Sequence, residues 1–198
     1  MAKSIIIDPS KNITKVSQLV NDKHQVAATI GFFVGLVRWI GEKPEILVRR
    51  RTAKDSLYDV DLSGKNEAIG GAQSFADLTN GYYSSIAATI VREAREEAGL
   101  DLSNWRKEVG LTESPFVLIP AQLSKEDGTN DLALIMPTRF YDSQRTSVYE
   151  EKLKSGAVSW LTADDLQNLT VPIISLRTRV MLWQALRYVE LDSVIHLL

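Results

Sequence analysis

The sequence contains no cysteine. That absence excludes disulfides, thiolate nucleophiles and cysteine-ligated zinc or iron–sulfur centres, and it fits a reducing compartment. Histidine is scarce as well. His24 and His196 stand near opposite ends of the chain, without metal-ligand spacing or a catalytic pairing, so both read as structural or surface residues. No apolar run approaches the ~20 residues of a membrane helix, and "MAKSIIIDPSKNITK" lacks the apolar stretch of a signal peptide. A soluble, cytoplasmic protein with no membrane partner is the expectation. Charge shows no bias either: Lys+Arg 23 against Asp+Glu 25 gives a formal net charge of -2. Without an extended basic stripe interleaved with aromatics, nucleic acid is not an expected partner. What is present, 44% hydrophobic and 24% charged residues, is ordinary for a globular protein. Residues 1–198 read as one domain, with 1–24 as an N-terminal extension that caps the fold or supports a homodimer.

"VAATIGFFVGLVRWI" (26–40) and "EILVRRR" (45–51) are apolar and rich in β-branched and aromatic residues, and "GEKP" lies between them, which predicts a β-hairpin. Residues 52–83 lack strong periodicity and read as loop around one short strand. From Ser84 to Ala98, Ile86, Ile90 and Ala94, with Ala87, Val91 and Ala98, recur at helical spacing, Ser84 or Ser85 can cap the start, and Gly99 stops the helix. "PFVLIPAQL" and "DLALIMPTRFYD" predict strands joined by the turn "SKEDGTN", and "AVSWLT" predicts another. "SLRTRVMLWQALRYVE" predicts a closing helix with Leu176, Val180, Trp183 and Leu186 on one face. Strands on both sides of a central helix point to an α/β or α+β sandwich. The four tryptophans, Trp39, Trp105, Trp160 and Trp183, lie in such apolar patterns and read as core.

The central helix carries an unusual load. Glu93, Glu96 and Glu97 are related by i,i+3 and i,i+4 steps, which brings them to one side of the helix. Two unit charges ~6 Å apart repel by roughly 3 kcal/mol at an effective dielectric of 20, so something should compensate them. Arg92 and Arg95 can do part of this, and a bare E-x-x-E-E string is commonly a salt-bridged, solvated helix face. The oxygen-only donor set also matches magnesium or manganese.

The flanks of the cluster add a resemblance. "REAREEAGL" (Arg92 to Leu100) matches residue for residue the R-E-U-x-E-E-x-G-U core of the Nudix box, where U is a small or aliphatic residue, and the chain resembles Nudix hydrolases over about 26–190. The resemblance implies a Nudix-type α/β/α sandwich with a mixed β-sheet. The family's longer signature is G-x5-E-x7 before that core. Counting back from Arg92 puts Ser84 where the family has Glu and Leu78 where it has Gly; the Gly pair is Gly70-Gly71, so "SFADLTNGYY" holds an insertion of roughly half a dozen residues.

By resemblance, Glu96 and Glu97 are the main metal ligands, Glu93 is a further ligand or a partner of a metal-bound water, and Arg92 orients these carboxylates. Gly70 or Gly71 offers a backbone carbonyl, with Gly71 taken as the ligand, and Gly99 ends the helix. The implied cofactor is Mg2+ or Mn2+. The implied activity is hydrolysis of the pyrophosphate bond in a nucleoside diphosphate linked to another moiety, with ADP-ribose or a nucleotide sugar as candidates. Pro115, fifteen residues beyond Leu100, resembles the downstream proline of ADP-ribose pyrophosphatase-type enzymes, with Phe116 where their Ser-Pro-Gly has Gly. A general base would come from a loop over the site: Glu126 first for its reach, then Asp127 and Asp131, all of which also read as ordinary turn residues. Arg49, Arg50 and Arg51 leave a strand together and can meet phosphates or solvent. Trp160, Asp164 and Leu166 resemble the strand-to-helix W-x-x-x-D-x-L passage late in Nudix domains. The alternative from another class is a Nudix-fold nucleotide-binding or regulatory module with little or no turnover, suggested by Ser84 and the altered Gly loop.

Overall fold

The computed structural model describes residues 18–20, 26–52, 62–78, 82–104, 119–124 and 130–195. Its centre is the long strand β2 (Val26–Ile40), following a short β1 (Gln18–Val20). After β2 come β3 (Lys43–Arg50), β4 (Asn66–Glu67) and β5 (Ile69–Ala72). Helix α1 (Tyr82–Glu93) runs directly into a π-turn, Ala94–Ala98. Then follow β6 (Ile119–Ser124), β7 (Asn130–Arg139), α2 (Ser147–Lys154), β8 (Val158–Thr162), α3 (Ala163–Gln167) and α4 (Leu176–Ile195).

The strands form one mixed sheet. Strand β2 is long enough to serve several partners: β1 and β5 antiparallel near its start, β3 antiparallel over 37–40, and β7 parallel over 30–37. Strand β3 in turn pairs with β4 and β8, and β6 pairs with β7, all antiparallel. The expected hairpin is present, its turn reduced to Gly41 and Glu42. The stretch 52–83 holds two short strands where one was expected, and part of the N-terminal extension joins the sheet as β1.

Alternation along the strands splits the core into two layers. Phe32, Val34 and Leu36 of β2 with Leu47 of β3 face Ile86, Ile90, Ala94 and Ala98 on one side. Val37, Ile46, Val48 and Ile135 face Met181, Leu182, Ala185, Leu186 and Val189 of α4 on the other. A helix therefore covers each face of the sheet, the α/β/α sandwich that the sequence predicts. Gly35 permits close packing of α4: a Cβ there would stand 2.7 Å from the Cβ of Ala185.

The buried face of α4 differs from the expected one. Leu186 is buried, but Leu176, Val180 and Trp183 are exposed, and Thr178, Arg179, Met181, Leu182, Ala185 and Val189 turn inward. Arg179 belongs inside because its guanidinium donates to the carbonyls of Leu166, Asn168 and Val171, tying α4 to the end of α3. Trp183 is thus a surface residue, whereas Trp39 and Trp160 are partly buried against the two core layers. Helix α2 has no counterpart in the sequence reading: its "SVYEEKLK" is short and polar, and only Tyr149 of its residues is fully buried. No helix among the described residues is long and apolar enough to cross a membrane.

Candidate active site

The carboxylates of the sequence motif sit where α1 loosens into the π-turn. A turn closed by i→i+5 hydrogen bonds is a rare local geometry that recurs at functional sites. It sets Glu93 and Glu97 toward β5, whereas the Glu96 side chain is 59% exposed. Gly99, at φ 72°, closes the turn in the left-handed conformation, and its N–H and that of Leu100 donate to the carbonyls of Arg95 and Ala94. The predicted stop is therefore in place, one π-turn beyond the α-helix proper.

Strand β5 forms the opposite wall. Gly70 has a φ of 145°, open to glycine and strained for other residues, and its N–H donates to Glu97 Oε2 at 2.8 Å. Gly71 leaves room for the carboxylate of Glu93: a Cβ at Gly71 would lie 2.6 Å from Glu93 Oε1. Both glycines of the pair thus touch the carboxylates, one through its N–H and one through the space it leaves.

Arg92 ties the other side together. Its guanidinium forks onto Asp77, Nε to Oδ1 at 2.8 Å and Nη2 to Oδ2 at 2.9 Å, while Nη1 reaches Glu93 Oε1 at 2.8 Å and Glu96 Oε2 at 3.2 Å. Asp77 is buried and also accepts from the Ser74 N–H and the Thr89 hydroxyl. Burial raises its carboxyl, but the Arg92 fork and the Ser74 N–H outweigh that and hold it at about 2. The same carboxylates keep the Arg92 guanidinium above its already high ordinary value despite burial.

Asp77 corrects the reading of the signature's first half. Counting back from Arg92 had placed the leading acid at Ser84. Counting forward from Gly71 gives five intervening residues and then Asp77, the G-x5 spacing, and the acid is one methylene shorter than the family's Glu. Fourteen residues instead of seven then separate it from Arg92, so on this count the inserted residues fall between Asp77 and Arg92. The signal was in the sequence, but only to a count anchored on the glycines.

Two further residues join the site: Glu67, which the sequence did not single out, and Arg49, one of the three arginines expected to meet phosphates or solvent. They are register partners across β3 and β4. Arg49 Nη2 meets Glu67 Oε2 at 2.8 Å, and its Nη1 meets Glu97 Oε1 at 2.9 Å; Arg51 also pairs with Glu67 at 2.6 Å. Glu97 is therefore held from both sides. Burial pushes its carboxyl up, Arg49 and the Gly70 N–H pull it down, and Glu93 and Glu67 add repulsion, leaving it at about 8. Even with a guanidinium and an amide on it, the Glu97 charge is under-compensated.

The oxygen-only donors and the gap at Gly71 suit a hard divalent cation at Glu93 and Glu97, with Glu96 set apart toward solvent. As the side chains stand, no three acidic or imidazole groups among the described residues converge closely enough to hold a metal ion. Glu97 Oε1 already meets Arg49 and its Oε2 the Gly70 N–H, so a cation there would share this carboxylate with both. Glu126, Asp127, Pro115, Trp105, His24 and His196 lie outside the described residues, and Asp131 is in β7.

No protein-family model matches the sequence, and no curated protein matches it closely. Solved structures do resemble the fold. The Nudix domain of Shewanella oneidensis NrtR, solved with ADP-ribose, superposes with a TM-score of 0.50 at 14% identity, covering 85% of this chain and 92% of that one. Shewanella oneidensis NrtR itself gives 0.50 at 11% identity over 80% of this chain, which spans only 61% of the NrtR chain. A Nudix hydrolase from M. smegmatis, RenU, gives 0.48 at 18% identity, covering 82% and 86%. With a helix on each face of a mixed sheet and the R-E-x-x-E-E turn against a glycine strand, this chain has the Nudix fold.

Proposed function

We propose that the protein is a divalent-cation-dependent pyrophosphohydrolase acting on a nucleoside diphosphate linked to a second moiety, with ADP-ribose or a nucleotide sugar as the candidate substrates. The observation that carries this reading is the placement of Glu93 and Glu97 side by side against Gly70 and Gly71, with the Glu97 charge under-compensated by the protein itself. A cation bound there would neutralise the diphosphate, polarise phosphorus and make water a stronger nucleophile. The chain's own residues do the rest. Arg92, fixed by Asp77, holds Glu93 and Glu96 in place through charge-assisted hydrogen bonds. Gly70 fixes Glu97 by its N–H. Arg49, paired with Glu67 through Nη2 and with Glu97 through Nη1, places a guanidinium beside the carboxylates where a phosphate oxygen of the substrate could meet it. Water attack on one phosphorus breaks the P–O–P bridge and yields two phosphate-bearing products, with Glu126 as the proposed base.

A second reading rests on the same Arg49–Glu97 contact at 2.9 Å. A guanidinium already seated on the key carboxylate supports a module that binds nucleotide without hydrolysing it. The NrtR Nudix domain was solved with ADP-ribose bound, which supports the same ligand class here under either reading.

Incubation with Mg2+ and a panel of ADP-ribose, nucleotide sugars, dinucleoside polyphosphates and nucleoside triphosphates, read by mass spectrometry, separates the two. Wild-type cleavage to a nucleoside monophosphate, absent in Glu97→Gln, is the expected result. Binding without cleavage, unaffected by metal, would replace the hydrolase with the binding module.

A further inference from the structure

The π-turn that carries the carboxylates ends at Gly99, so the carbonyls of its last residues point beyond the helix and need partners from elsewhere in the fold. Lys152, 55 residues beyond Glu97 and on α2, supplies them. Its Nζ donates to the Glu96 carbonyl and to the Glu97 carbonyl, each at 3.0 Å. The ammonium therefore sits on the backbone of the two residues whose side chains the proposed chemistry needs, at the negative end of the helix dipole.

Helix α2 is itself fastened to the same turn. The Thr146 hydroxyl donates to the Gly99 carbonyl and accepts from the Tyr149 N–H, which caps α2. The Asp101 N–H donates to the Gln144 carbonyl at 3.0 Å. Gly99 has its Cα so close to α2 that a Cβ would lie 2.8 Å from the Tyr149 nitrogen. The anchors at Thr146 and Gln144 hold the chain after the turn; Lys152 alone of these contacts holds the carbonyls of Glu96 and Glu97.

We propose that Lys152 is a positioning residue for the carboxylate turn: by clamping the Glu96 and Glu97 carbonyls it fixes the direction in which those side chains leave the backbone. The proposal rests on the hydrolase reading for its catalytic consequence, and on geometry alone for the clamp. Loss of the ammonium frees the last turn to fray, and the Glu97 carboxylate then samples positions away from Gly70 and Glu93.

Lys152→Met keeps most of the aliphatic stem and removes the donors. Amide hydrogen exchange on the metal-free protein is expected to speed up about tenfold at Gly99 and Leu100 with little change in β2, and Mn2+ affinity is expected to fall about tenfold, the lower end for losing a group behind a metal ligand. Turnover should fall with it while KM for the nucleotide stays within about twofold. Lys152→Arg should restore affinity and turnover. Thr146→Val, which loosens the neighbouring anchor, should lower stability but leave Mn2+ affinity nearly unchanged. Unchanged exchange and unchanged Mn2+ affinity in Lys152→Met would overturn the clamp, as would an equal loss of affinity in Thr146→Val. A wild-type protein that binds no divalent cation would instead overturn the hydrolase reading, and the exchange rates at Gly99 and Leu100 would then decide the clamp by themselves.

Discussion

Asp77 and Arg92 meet through two parallel hydrogen bonds, at 2.8 and 2.9 Å, that join the loop after β5 to the last turn of α1. The carboxylate is buried, and the guanidinium has further bonds to Glu93 and Glu96. One ion pair thus sets the orientation of the carboxylate-bearing helix against its glycine strand.

Replacing Asp77 with Asn should therefore weaken both fold and site. Removal of one partner from a largely buried charged pair costs about 2–3 kcal/mol where the other retains alternative partners. The dependence on pH follows from the Asp77 carboxyl at about 2. Its value when unfolded is 3.8, so the unfolded chain takes up the proton first as pH falls. The contribution of Asp77 is full above pH 4 and is lost between about 4 and 2; it is worth about 2 kcal/mol. Urea unfolding at pH 7 and at pH 2.5 should show the mutant's deficit shrink at the lower pH.

Glu97 has the opposite sign. Its carboxyl lies at about 8 in the folded protein against 4.5 unfolded, so the folded state keeps the proton longer. Stability of the metal-free protein should then decline as pH rises from about 4.5 to 8, on the order of 5 kcal/mol at most, because a buried carboxylate is being ionised. Glu97→Gln should flatten that decline and melt higher than wild type at pH 8.5 in EDTA while abolishing turnover. Divalent-cation binding below pH 8 should release a proton in wild type and none in the mutant, a difference calorimetry in two buffers of unlike ionisation enthalpy can read.

Gly71 offers a test of the cradle. Its backbone carries no left-handed strain, so Gly71→Ala is tolerated by the chain itself, but the new Cβ would lie 2.6 Å from Glu93 Oε1. Glu93 must shift and pull on Arg92. Turnover should drop about tenfold or more for an ångström-scale displacement, with a loss of stability of about 1–2 kcal/mol. Full activity in Gly71→Ala would mean that Glu93 is not held at this position during the reaction.

On α4, Leu182→Ala should cost about 2–5 kcal/mol because its side chain is buried against the sheet, whereas Val180→Thr and Trp183→Gln should stay within about 0.5–1 kcal/mol of wild type. Thermal melts of the three variants distinguish the buried face found here from the face that the heptad-like spacing suggests.

The hairpin, the central helix, the late strands and the carboxylate motif could be read from residues alone, because each depends on local preferences: β-branched runs, the 3.6-residue period and a glycine stop. The face of α4 could not. Both Leu176, Val180, Trp183 and Met181, Leu182, Ala185 are apolar stripes on one helix, and the choice between them comes from the sheet, where Gly35 admits Ala185, and from α3, whose carbonyls draw Arg179 inward.

The site divides in the same way. Sequence by itself determined that three glutamates and Arg92 share a short helical segment ending at Gly99, since they fall within about two helical turns. Only the tertiary structure decided that Asp77, across an insertion, is the acid that anchors Arg92, that Arg49 and Glu67 face Glu97 from β3 and β4, and that Lys152 holds the turn from below. Those partners come from segments tens of residues away. Their pairing follows from sheet register and from the low-dielectric interior, where a charge must find its counterpart, and neither is written in local spacing.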